Sequence, residues 1–128
     1  KITHICCGYP DKIDAENYPK APLDSYTKIA KALDSSKIDS VSIEDAHRYN
    51  DLSLLKNYKN TKIIFGVIKI ASSKIETVEE IEDRIKETLK FISKEQLIAA
   101  PDCGLGHLNR ELAIKKLKIM SLAAKKFK

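Results

Sequence analysis

A chain of 128 residues with 43% apolar side chains, four glycines and four prolines can enclose one hydrophobic core, which excludes a fibrous repeat or a disordered segment. Its formal charge of +5 rests on 23 basic residues, only three of them arginine, and without arginine clusters or aromatic platforms a nucleic-acid partner is not expected. No apolar run approaches the roughly 18 residues of a membrane span and the first residues show no secretory leader, so no membrane partner and a cytoplasmic location are expected.

Residue 1 is Lys and a strand pattern begins at once, so further chain upstream is expected. Residues 2–6 (ITHIC) read as a first strand. The loop after it carries Gly8, Pro10, Pro19 and Pro22, and ends at Asp24, a candidate cap for a helix that buries Tyr26, Ile29, Ala30 and Leu33. A second strand is predicted over Ile38 to Ile43, then a short helix near Leu52, Leu54 and Leu55. Residues 62–70 (KIIFGVIKI) are rich in β-branched side chains and apolar on both faces, as a covered parallel strand should be.

Thr77 followed three residues on by Glu80 is a capping box, and Val78, Ile81, Ile85, Leu89 and Ile92 continue it as one helical face. A fourth strand, Leu97 to Ala100, stops at Pro101. Asn109 is placed to cap a last helix that buries Ala113, Leu117, Met120 and Ala124, with the lysines after residue 114 on its wet face and fraying end. Strand and helix alternate four times, which implies a parallel sheet in an α/β fold. Four such units are half of an eight-unit barrel, or a small doubly wound sheet; periodicity alone does not separate the two.

Three cysteines, an odd number without a leader, fit metal binding or catalysis better than a disulfide framework. His4 and Cys6 are two apart on the first strand and share a face, whereas Cys7 faces the other way as a small buried hydrophobe. Glu44 ends the second strand and Cys103 follows the fourth. In parallel α/β folds the carboxyl ends of strands converge on one rim. One imidazole, two thiols and one carboxyl meeting there suit zinc. Blander readings make His4 a core histidine, Cys103 a turn residue, and Glu44, Asp45 and Arg48 an ion-paired loop. His47 and His107 share no strand face with a candidate ligand and stay unassigned.

THICCG (3–8), SIEDAHR (42–48), FGV (65–67), SKIETVEEIEDRI (73–85) and PDCGLG (101–106) together resemble the C-terminal half of the catalytic domain of cobalamin-independent methionine synthase. The resemblance implies a (β/α)8 TIM-barrel type fold to which residues 1–128, as a single domain, contribute about four βα units. It implies zinc held by His4, Cys6, Glu44 and Cys103, with Asp102 shaping the turn that presents Cys103, and methyl transfer to a zinc-activated thiol, homocysteine. No general base is assigned. Lys69 and Ala71 stand where folate-using members are expected to carry Asp and His, which leaves the donor open between folate, methylcobalamin and another carrier. The segment between Cys6 and Glu44 bears prolines and is longer than in those members. Coenzyme M is an alternative thiol, and an inactive fragment an alternative to an enzyme. A half barrel bares two strand edges and an apolar sheet face, so a homo-oligomer is expected.

Overall fold

Residues 1–128 are all described by a computed structural model. The β-branched apolar runs form four strands, β1 (Ile2–Ile5), β2 (Ser40–Ile43), β3 (Lys62–Ile68) and β4 (Leu97–Pro101). They pair in parallel in chain order, β1-β2-β3-β4. Helices α1 (Ser25–Asp34), α2 (Val78–Thr88) and α3 (Arg110–Lys125) follow β1, β3 and β4, and a 3₁₀ helix (Leu52–Asn57) follows β2. Parallel neighbours joined in sequence by crossovers of one hand carry all their helices on one side. The chain is therefore four consecutive units of a (β/α)8 barrel; a doubly wound sheet would have a strand order that reverses and helices on both faces. No helix is long and apolar enough to cross a membrane.

Alternation along the strands sorts the side chains. Val41, Ile43, Ile63, Phe65 and Val67 pack with Tyr26, Ala30, Leu55, Ile81, Ile85 and Ala123 in one buried cluster on the helical side. Each buried Val, Leu, Ile or Phe among them contributes about 1.5–3 kcal/mol relative to exposure. On the opposite face His4, Ser42, Ile64 and Ile98 lie side by side in register. That face has no covering layer: Ile2 is 71% exposed and Ile98 42%.

Several expectations shift by a few residues, for local reasons. Asp24 precedes α1, but its backbone (φ −83°, ψ 0°) is not extended and its side chain makes no cap bond; the carboxylate pairs instead with Lys28, 2.8 Å away. The capping box of α2 forms as expected, Thr77 accepting from Glu80 N and Glu80 from Thr77 N. α2 ends at Thr88, short of Ile92, where Lys90 N and Phe91 N bond three residues back and tighten the final turn. Asn109 caps α3 through Leu112 N. The buried face of α3 is offset from the expected one: Lys116 and Ala123 are fully buried, while Leu117 is 37% exposed. The cause is Lys116, whose ammonium reaches Glu76 (3.0 and 3.1 Å) and the carbonyls of Lys69 and Lys74 beneath the helix.

Candidate metal centre

The site is built where β1, β2 and β4 end. Backbone pairing sets His4 beside Ser42, and Ser42 Oγ lies 2.9 Å from His4 Nδ1, which leaves Nε2 as the free ring nitrogen. One residue past β1, the Cys6 thiol donates to Glu44 Oε1 at 3.0 Å, and Gly8 N donates to Cys6 Sγ at 3.4 Å. Glu44 is buried; its Oε2 accepts from Cys7 N at 3.0 Å. Tyr26 clamps the two strand ends, accepting from Glu44 N and donating to Ile5 O, both at 2.9 Å. Cys6 is exposed and Cys7 buried in the core, so the adjacent thiols do face opposite ways.

Asp102 does more than shape its own turn. Wholly buried, it accepts from the backbone N–H groups of Asp45, Ala46 and His47 at 2.8–2.9 Å, so the loop leaving Glu44 is held by the residue that precedes Cys103. Gly66 makes room for it: a Cβ there would lie 1.9 Å from Asp102 Oδ1. An isolated glycine inside a strand run is the sequence signal of such a close approach. Burial pushes the Asp102 carboxyl up to about 6, against the pull of its three N–H donors.

The ligand atoms of His4, Cys6, Glu44 and Cys103 all lie within 4.8 Å of one another, two of the residues exposed, one half-buried and one buried. Burial and the hydrogen bond to Glu44 push the Cys6 thiol up to about 12. A cation amid these groups reverses that preference, because it favours thiolate and carboxylate together. One imidazole, two sulfurs and a carboxylate at this spacing fit a single four-coordinate metal ion.

The neighbouring residues have structural work. Asp45 pairs with Arg84, not with Arg48, through two bonds of 2.6 and 2.8 Å, and Tyr49 lies over the guanidinium at 4.3 Å. Arg48 donates to Ala21 O at 2.7 Å. His47 Nε2 accepts from Ile70 N and Ala71 N, at 3.0 and 3.2 Å. Burial, then Lys20, Lys69 and Lys116, push His47 down to about 4, so it is a neutral acceptor that ties the loops after β2 and β3. His107 packs edge-on against Tyr9 and stands outside the cluster. Reading along the sequence missed Ser42, Tyr26, Gly66, Arg84 and Lys116, whose partners lie far away in the chain.

This fold and rim define a parallel α/β barrel segment with a metal-type cluster at its carboxyl end. A family model described as "Cobalamin-independent synthase, Catalytic domain" matches residues 23–126, and the chain belongs to that family. Among similar proteins, a methionine synthase of Pyrococcus furiosus is 33% identical over 102 residues, 79% of this chain and 30% of that one. A methionine synthase of Saccharolobus islandicus is 36% identical over 121 residues, 93% of this chain and 32% of the other. A solved structure of a B12-independent methionine synthase from Shewanella sp. W3-18-1, in complex with selenomethionine, superposes with a TM-score of 0.83 at 29% identity. It covers 98% of this chain and 37% of its own. The chain thus spans about a third of the length of the curated relatives it matches.

Proposed function

We propose that this chain carries the zinc-binding half of a methyltransferase of the methionine synthase type, with homocysteine as the thiol acceptor. The observation that carries the reading is the approach of four ligand atoms to within 4.8 Å in a chain of this family. The donor set is borderline-soft and four in number, which suits zinc and not magnesium or calcium. When bound, zinc supplies a Lewis acid that makes a neighbouring thiol a thiolate at neutral pH, a state a free thiol of pKa near 8.5 mostly lacks.

The chain's own residues prepare that site. Ser42 fixes the His4 ring, Cys7 N holds Glu44 Oε2 so that Oε1 meets Cys6, and Asp102 anchors residues 45–47. With Cys6 and Cys103 as thiolates and Glu44 as carboxylate, three negative charges outweigh the ion's two positive ones, which keeps a substrate sulfur nucleophilic. In the transfer, the acceptor thiol gives its proton to solvent, its sulfur forms a bond to the methyl carbon, and the donor's bond to that carbon breaks with the electron pair staying on the donor. The donor is a methylated folate, methylcobalamin or another methyl carrier. Cys6→Ser and Cys103→Ser should each lower zinc content, measured by elemental analysis, to less than a tenth of wild type, whereas Cys7→Ser should retain it. Equal loss in all three overturns the ligand set.

A second reading, an inactive piece that assembles without turnover, is favoured by the bare inner sheet face and by the third of a relative's length that the chain spans. Methyl transfer to homocysteine, or to coenzyme M as an alternative thiol, assayed with methyltetrahydrofolate and with methylcobalamin, separates the readings.

A further inference from the structure

The proline-bearing segment between β1 and α1 forms more than a connection. Its turns need left-handed backbone at Gly8 (φ +100°), where a Cβ would lie 2.8 Å from Pro19 O, and at Asp14 (φ +62°). It is fastened along its length. Asp14 N donates to Ala71 O, Asp14 Oδ1 accepts from Ser73 N, Ala21 N donates to Cys7 O and Arg48 holds Ala21 O. The segment thereby reaches over the loop after β2 to the loop after β3, and a cavity of about 350 Å³ remains between them.

Tyr18, Lys20, His47 and Lys69 line this cavity, with Asp14 and Glu16. The Tyr18 hydroxyl is buried and has no hydrogen-bond partner, which for a buried polar atom points to a missing one. Lys20 lies over the Tyr18 ring at 4.8 Å and is half-buried, yet neither Lys20 nor Lys69 belongs to an ion pair. Of the two carboxylates, Asp14 is taken up by Ser73 N and Glu16 is exposed. The charges that act on His47 are those of three lysines. Lys20 and His47 also line a small recess that Glu44 borders, so the cavity lies next to the four-ligand cluster.

We propose that this cavity is a binding pocket for the acidic end of a small organic anion, a carboxylate or a phosphate, held by Tyr18 Oη and the ammonium groups of Lys20 and Lys69. The proposal rests on the methyltransferase reading only in assigning the ligand's other end to the cluster, where one of the two reaction partners must approach.

The test is a titration of the isotopically labelled protein with glutarate and, separately, with inorganic phosphate, followed by amide NMR. Saturable shifts at Tyr18, Lys20, Lys69 and Ser72 are expected with at least one anion, and the stronger of the two names the acidic group. Lys20→Met and Lys69→Met should each weaken that binding about tenfold or more, and Lys69→Arg should restore part of it. Lys69 is exposed, so its variants keep the fold even if Lys20→Met does not. Shifts that never saturate with either anion, or that Lys69→Met leaves unaltered, overturn the pocket. Zinc content read on the same samples keeps the two proposals apart: anion binding without zinc removes the methyltransferase reading alone, and zinc without anion binding removes the pocket alone.

Discussion

His47 sits three residues after Glu44 without sharing its strand face, and both backbone N–H groups that it accepts from belong to the loop after β3. Accepting on Nε2 requires the neutral ring, and the folded-state value of about 4 lies below the ordinary 6.5. The sign follows: the folded protein binds the proton less readily than the unfolded chain, so this residue's stabilisation is complete above pH 6.5 and is lost as pH falls towards 4. Asp102, with its raised value, acts in the opposite direction over part of that window, so the wild-type profile alone does not isolate His47. His47→Gln keeps an acceptor and removes the titration. Urea unfolding of metal-free protein at several pH values should show the variant losing less stability than wild type between pH 6.5 and 4; parallel curves would remove this role. None of this was legible in the sequence, where a histidine shows its chemistry but not the amide groups that claim it.

At the scale of elements, what could be read depended on whether the cause was local. α2 was legible because its start lies in Thr77 and Glu80 and its face in apolar residues three and four apart. The register of β1, with Cys6 and Cys7 on opposite faces, was legible for the same reason. α3 was not, since a lysine reads as solvent-facing until a distant carboxylate is known, and here Glu76 and two carbonyls draw Lys116 inward. Lys116→Met should cost about 3 kcal/mol in urea unfolding, because Glu76 keeps its burial and loses its counter-charge. Adding Glu76→Gln should recover part of that loss, as expected for two residues that interact directly. Additive losses in the double variant would mean that the pair is not coupled.

For the molecule as a whole, the choice between half barrel and doubly wound sheet was undecided by pattern, because both fold types alternate strand and helix. Strand order decides it, and strand order is set by tertiary packing. The same order leaves one sheet face bare, with Ile2 and Ile98 exposed on it. Self-association through this face is expected, whether as two halves that oppose each other or in another arrangement. Light scattering at micromolar concentration should give more than a monomer for wild type, and Ile98→Lys should shift it towards monomer. A well-folded wild-type monomer would refute the idea.

The four clustered side chains have one more consequence. They come from β1, from the end of β2 and from beyond β4, and β1 and β4 are the two outermost strands, which share no backbone pairing. An ion there would act as a rivet between the opposite margins of the sheet, closing a long stretch of chain that no disulfide closes. Thermal resistance would then be set partly by the surrounding medium: the melting temperature should climb with the logarithm of free zinc and fall on adding a chelator. A melting temperature indifferent to zinc would show that these margins meet without a rivet.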